Sequence, residues 1–181
     1  MSGEVGMHAY EVVDELPEDC VREIARVEEV EDPLLAEVFV YWHNLAAGRP
    51  MPLAQEVDPL DLPRRALGYL FLVDVEPGRS GDLRFRVRLA GTHAVEQAGF
   101  DPTGRYGEEV PGSEPVAARF TQAVKRGRPY IAEVPLTWSN RNYKRYVALV
   151  CPLGGVEVTA DENAAAGPAK VVRLLAVLHF R

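Results

Sequence analysis

The feature that most constrains the fold is a change in hydrophobic period near residue 69. Before this point apolar residues recur at helical spacing, and after it a strict alternation runs through Leu83–Ala90. Alternation with a period of two is typical of a half-buried β-strand. The strand has one apolar and one cationic face, formed by Leu83, Phe85, Val87 and Leu89 on one side and Arg84, Arg86 and Arg88 on the other. With the apolar segment Tyr69–Val75 and the turn-rich EPGRSGD between them, the pattern predicts an antiparallel hairpin.

Helical patterns precede and follow this hairpin. Proline and acidic residues at the start of a segment and glycine at its end mark helix boundaries. The predicted helices are Pro17–Val30, a second beginning at Asp32-Pro33 and ending at Gly48, a short one from Asp58-Pro59 to about Leu67, and Ser113–Gly127. Three more strands are predicted over Pro129–Trp138, Tyr143–Leu153 and Lys170–Phe180.

This order predicts an α+β domain. We expect a five-stranded antiparallel sheet, with crossover helices on one face and N-terminal flanking helices. Residues 1–31 are predicted to be an acidic arm with a short helix, and residues 32–181 to form the folded domain.

Charge is distributed unevenly along the chain. The net charge is −7, but residues 1–61 hold 15 acids and 3 bases, whereas the remainder is mildly basic. An acidic arm on the same chain would repel phosphates, so nucleic acid is not an expected partner. We expect the arm to lie against the basic body.

Neither a secretory signal nor a membrane span is predicted, because the acidic first thirty residues lack an apolar run and no segment is long and apolar enough. Cys20 and Cys151 lie far apart, as expected of reduced thiols in a cytoplasmic protein. We therefore expect no membrane partner.

Catalytic and metal-binding motifs are not found. No serine lies in a G-x-S-x-G elbow, and no phosphate loop occurs. The four histidines, His8, His43, His93 and His179, lack the spacing of metal ligands, so no metal site is predicted. We interpret the acids Glu108, Glu109 and Glu114 as a solvated turn rather than a general-acid pair.

Several segments together resemble the PAS superfamily, in particular a group of small alphaproteobacterial PAS domains of mostly unknown function. The segments are Tyr41-Trp42, the link MPLAQEVDPLDLP, LFLVDVE, FRVRLAGTHAVEQAGFDPTGRYGEEV and GRPYIAEVPLTWSNRNYKRYVALVCPLG. The resemblance covers roughly residues 34–155. It differs from the group at Gly154-Gly155, which open a long loop in place of a serine and a short polar turn, so the start of the last strand is left open.

The resemblance implies a bacterial, non-enzymatic sensor of signal transduction that passes its signal to another, unidentified protein. PAS domains that bind haem usually place the histidine ligand on the helix before the third strand, and Ser113–Gly127 has no histidine. Flavin photosensors need a reactive cysteine in the crossover region, and residues 91–127 have none. No cofactor is therefore expected.

The resemblance also implies a pocket for a small molecule between the inner face of the sheet and the helix Ser113–Gly127. Its predicted walls are Phe85, Val87, Leu89, Phe120, Val124, Trp138 and Tyr146. The alternative is that these side chains fill the space as ordinary core, because apolar pockets and apolar cores look alike in sequence.

A homodimer is predicted through the helix that starts at Pro33. This helix is apolar nearly all round, which leaves Phe39, Val40 and Ala46 for a partner surface. The alternative is that the helix Pro17–Val30 covers this face within one chain. Two other functions remain open: a purely structural dimerisation module with a closed core, and a small cone-shaped α+β enzyme, which would need a buried acid–histidine pair.

Overall fold

The computed structural model describes residues 21–136, 145–156 and 170–181. These residues form a six-stranded, fully antiparallel sheet with the order β1-β4-β5-β6-β2-β3. The strands are β1 Val21–Glu23, β2 Leu70–Pro77, β3 Leu83–Ala90, β4 Tyr130–Pro135, β5 Arg145–Gly154 and β6 Val171–Phe180. The helices are α1 Pro33–Ala46, α2 Thr92–Ala98 and α3 Glu114–Arg126. The predicted α+β architecture is confirmed, with β1 as a sixth strand.

The predicted helix Pro17–Val30 is wrong for the described residues 21–30. Val21, Arg22 and Glu23 instead pair with β4, and the Ile24 amide continues this pairing by donating to the Pro129 carbonyl at 3.1 Å. The apolar stripe of this segment was thin, so little burial favoured a helix, whereas an unpaired β4 edge offers a row of backbone partners. The segment then contributes Ile24 and Val30 to the core.

The predicted helix from Asp58 to Leu67 is also wrong. It is replaced by two 3₁₀ turns, Pro59–Asp61 and Leu67–Tyr69. Pro63 has no amide hydrogen and disfavours helical geometry at the residue before it, which stops the first turn at Leu62.

Helix α1 begins where the sequence predicts. The Asp32 carboxylate accepts hydrogen bonds from the Leu34 and Leu35 amides at 3.0 and 3.2 Å, and Pro33 takes the first helical position. The helix packs on the sheet across β5 and β6, where the Trp42 indole donates to the Pro152 carbonyl at 2.9 Å.

Both faces of the central strands are covered, because α3 also packs against β5. Every residue of β5 after Arg145 is buried. Tyr146, Ala148 and Val150 project toward α3 and line a cavity there. By the alternation of a strand, Val147 and Leu149 project to the face that α1 covers.

Candidate functional site

A cavity lies between α3 and the sheet face formed by β2, β3, β5 and β6. Its volume is about 100 Å³. That is several times the roughly 30 Å³ of one water molecule and below the roughly 300 Å³ at which pockets for drug-sized ligands begin. Four of the residues predicted to form a pocket lie in its wall: Phe85, Val87, Phe120 and Tyr146. The Phe85 and Phe120 rings meet edge to face with centroids 5.4 Å apart, which fixes the position of α3 over β3.

Leu89 does not line this cavity, because a β-bulge interrupts the alternation of β3. In the register with β2, Val87 lies opposite Val73 and Leu89 lies opposite Leu72. Leu72 and Val73 are adjacent, so they project to opposite faces of the sheet, and Arg88 is the extra residue of the bulge. Leu89 therefore projects to the face away from Val87. A periodic pattern read from one strand cannot reveal a bulge, since the bulge is defined by the partner strand.

Two other predicted wall residues are placed differently. Val124 packs against the core at the side of α3 and does not line the cavity. Trp138 lies outside the described residues.

The segment between α2 and α3 closes the side of the cavity nearest β3, through Phe100, Pro102 and Val110. It is fixed to β3 by two backbone hydrogen bonds, from the Gly104 amide to the Val87 carbonyl at 2.7 Å and from the Val87 amide to the Arg105 carbonyl at 2.9 Å. Gly104 has a φ of +84°, as the predicted turn requires.

One end of the cavity is polar. Arg119 lies on α3 between the cavity-lining residues Val116 and Phe120, and its guanidinium donates to the Tyr146 hydroxyl at 3.1 Å. Tyr130, from β4, also lines the cavity and lies near enough to Arg119 for the guanidinium to act on the pKa of its hydroxyl. Burial raises the pKa of the Tyr130 hydroxyl well above its usual range, although the charge of Arg119 acts in the opposite direction. The Tyr130 hydroxyl therefore keeps its proton at physiological pH.

Arg119 and Tyr130 were missed by sequence reasoning. The apolar stripe of α3 was identified through Val116, Phe120 and Ala123, and Arg119 lies on that same stripe, three residues after Val116 and four before Ala123. A charged residue on an apolar helix face is the signal that could have identified it.

The three residues predicted to form a dimer contact differ in their exposure to solvent. Phe39 and Ala46 are only 2% and 3% exposed, whereas Val40 is 40% exposed. The expectation that Phe39 and Ala46 point away from the core is therefore wrong. The chain itself covers that side of α1, since the turn Val27–Glu29 contacts the helix and its neighbours Ile24 and Val30 are buried in the core.

Two arginines of β3, Arg84 and Arg88, pair with acids of the folded domain. The Arg84 guanidinium donates from Nε to Glu108 at 2.6 Å and lies 3.7 Å from the Tyr106 ring centroid. Arg88 lies 3.5 Å from Asp74, which also pairs with Arg173 at 2.6 Å. The acids of residues 1–20, which we expected to pair with the basic body, lie outside the described residues.

Among the described residues, the cysteine and histidine candidates Cys151 and His93 form no catalytic or metal-binding site. Cys151 is a free, fully buried thiol whose pKa is raised by burial, and Cys20 and His8 lie outside the described residues. His93 is half exposed, 3.3 Å from Glu96 and beside the Tyr69 ring. Within residues 21–136, 145–156 and 170–181, no three His, Cys, Asp or Glu side chains are grouped as metal ligands would be. None of the helices in these ranges is long and apolar enough to cross a bilayer.

Comparison with known proteins gives one family. The family model described as a PAS domain matches residues 30–109, from the start of α1 through the hairpin β2–β3 and α2 to the turn before α3. Neither the curated proteins nor the solved structures provide a match.

Proposed function

Because a PAS-domain family model matches residues 30–109, we propose that the chain is a non-enzymatic sensory domain that binds a small molecule in the cavity under α3 and signals to a protein partner. PAS domains are generally sensory rather than enzymatic. The family match supports a sensory role in general, and the ligand and the route of the signal are argued from the residues of the cavity.

The observation that supports ligand binding is the cavity itself. A closed dimerisation module would fill this space with side chains, since protein interiors pack at the density of organic crystals. Instead about 100 Å³ is open between α3 and the sheet, with apolar walls and a few polar groups at one end, which is the usual composition of a small-molecule site.

An enzyme is less well supported by the same wall. The described residues that line the cavity contribute one arginine, one serine and two tyrosines as polar groups, with no carboxylate and no histidine among them. General acid–base catalysis most often uses a histidine or a carboxylate within hydrogen-bond reach of the substrate.

Strand β5 is a physical route from the cavity to the opposite face of the sheet. Ala148 and Val150 face the cavity, and Val147 and Leu149, which alternate with them along β5, face α1. A ligand that displaces β5 therefore also moves Val147 and Leu149, the β5 residues that face α1. We propose that α1 carries the signal outward, through a homodimer or another signalling protein that contacts its exposed side around Val40.

The experiment compares two neighbouring alanines of α3. Ala117 lines the cavity, whereas Ala118 is exposed. The full-length parent, Ala117→Leu and Ala118→Leu are examined by native mass spectrometry for a co-purifying molecule, and by thermal shift against a library of small, mainly apolar compounds. We expect the parent and Ala118→Leu to bind the same compound and Ala117→Leu to lose it, because leucine fills the cavity. If no molecule distinguishes Ala117→Leu from the other two proteins, the cavity does not bind ligand.

A further inference from the structure

We propose that the ligand of this cavity is a small carboxylic acid, bound as the carboxylate by Arg119 and the Tyr130 hydroxyl, with its apolar part between α3 and the sheet. This inference rests on the proposed ligand-binding function and specifies its chemistry.

The charge of Arg119 is the first argument. A guanidinium stays protonated at any physiological pH, and its partial burial against an apolar wall needs compensation. The ion pairs of the described residues do not include Arg119. Its hydrogen bond there goes to the Tyr146 hydroxyl rather than to a carboxylate. The sequence between β4 and β5, TWSNRNYK over residues 137–144, contains no acid either. An anion entering the cavity would supply Arg119 with a countercharge that the acids of the described residues do not provide.

The geometry of the donors is the second argument. Arg119 uses one nitrogen, Nη2, on the Tyr146 hydroxyl, and a guanidinium has five N–H groups arranged in a planar fork that matches the two oxygens of a carboxylate. The Tyr130 hydroxyl lines the cavity near this guanidinium, and its O–H is a further group able to donate to a bound anion. Donors thus dominate this end of the cavity, and carboxylate oxygens are acceptors only.

Size and polarity limit the rest of the ligand. Beyond the polar end, the wall consists of apolar side chains such as Phe85, Val110 and Phe120. A volume of about 100 Å³ is smaller than the roughly 150 Å³ of an engineered apolar cavity that holds one benzene ring. A short-chain monocarboxylate meets these limits, because the charge can occupy the polar end while the few remaining carbon atoms contact the apolar wall.

The test uses matched pairs of acids and neutral amides on the full-length protein. The probes are propionate with propionamide and butyrate with butyramide, titrated by isothermal calorimetry and by ¹H–¹⁵N correlation spectra. We expect at least one acid to bind at least about tenfold more tightly than its amide, because a charge-assisted bidentate contact is formed only by the carboxylate. If no acid exceeds its amide, the inference is wrong.

Two α3 variants assign the preference to Arg119. Arg119→Gln and the control Lys125→Gln each remove one positive charge from α3, but Lys125 is exposed near the helix end, away from the cavity. We expect Arg119→Gln to reduce the acid-over-amide ratio to near one, and Lys125→Gln to leave it unchanged. Tyr130→Phe, which keeps the ring that packs in the core, should reduce the ratio partly. Equal loss in Arg119→Gln and Lys125→Gln would show a general charge effect and overturn the inference.

The two proposals fail in different ways. If neutral compounds bind the parent and Ala118→Leu but not Ala117→Leu, with no preference for acids, the cavity binds ligand and only the carboxylate inference is wrong. If no compound, neither in the library nor among the acids and amides, distinguishes Ala117→Leu from the parent, the ligand-binding function itself is wrong. Thermal unfolding of each variant establishes that it is folded before titration.

Discussion

Asp32 Oδ2 lies 2.7 Å from His179 Nδ1. The residue that caps helix α1 is therefore hydrogen-bonded to a side chain of the last strand, β6. The same carboxylate accepts from Arg181 Nη2 at 3.3 Å, while its other oxygen caps the helix. Asp32 is the one charged residue that is fully buried among the described residues. It therefore couples the position of α1 to β6, which also lines the cavity on its other face.

We predict that Asp32→Ala lowers the free energy of unfolding by about 2–4 kcal/mol, because it removes a helix cap and leaves the groups that faced it without their acceptor. Asp58→Ala is the matched control. Asp58 also precedes a proline and caps through the Leu60 amide at 2.9 Å, but it is exposed and caps only a 3₁₀ turn. Its loss should be about 1 kcal/mol or less. Urea denaturation measures both, and equal losses would contradict the structural role given to Asp32.

Stability should depend on pH through Asp32. Burial raises the pKa of this carboxyl, but hydrogen bonds from His179, the Leu35 amide and Arg181 outweigh it, so the pKa lies below the usual 3.8. A lowered folded-state pKa stabilises the protein above the unfolded-state pKa, and this contribution is lost as pH falls through the folded-state pKa. The stability difference between the parent and Asp32→Asn should therefore shrink as the pH falls toward 3. Urea titrations across this range would refute the assignment if the difference stayed constant.

Gly91→Ala should destabilise the fold by about 2–3 kcal/mol, because overpacking against backbone atoms cannot be relieved by a change of rotamer. A Cβ on Gly91 would lie well inside contact distance of the Leu67 and Gly68 carbonyl oxygens. Gly107→Ala is the control, since its Cβ would meet only the Phe85 carbonyl and Ser113 Oγ, both at 3.9 Å. Calorimetric melting should leave Gly107→Ala within about 0.5 kcal/mol of the parent. Similar melting of the two variants would show that the close approach at Gly91 is relieved elsewhere.

The homodimer remains a prediction, but its test must change. Phe39→Glu should unfold the protein, because Phe39 is buried beside Trp42 with ring centroids 5.9 Å apart. Val40→Glu should leave the fold intact, since Val40 is exposed. Sedimentation equilibrium should show a parent dimer and a Val40→Glu monomer. A parent that is monomeric at high concentration refutes the dimer.

Purified protein should be colourless, without the absorption bands of haem or flavin. The cavity, at about 100 Å³, falls well below the roughly 300 Å³ at which sites for drug-sized ligands begin, and haem and flavin are larger than such ligands. Absorption spectroscopy of freshly purified protein measures this directly. A visible band in stoichiometric amount would show that the site opens far beyond the volume described.

The parts of the site that sequence predicted are those governed by local rules. The wall residues Phe85 and Val87 follow from the alternation of β3, and Phe120 from the apolar stripe of α3. Leu89 did not follow, because the bulge beside Val87 depends on the register with β2. The grouping of Arg119 with Tyr130 and Tyr146 could not be predicted either, since the three belong to α3, β4 and β5 and meet only when α3 packs on the sheet.

The sequence by itself determined where most elements begin and end. Asp32-Pro33 starts α1, Gly127 ends α3, and the turn residues after Pro77 separate β2 from β3, because capping, backbone restriction and hydrophobic period act over a few neighbouring residues. Tertiary structure decided that Val21–Glu23 is a strand, that Phe39 is buried, and that a cavity remains beside Arg119. Each of these depends on pairing or packing between residues distant in the chain, and the free energy of such contacts is absent from any local stretch of sequence.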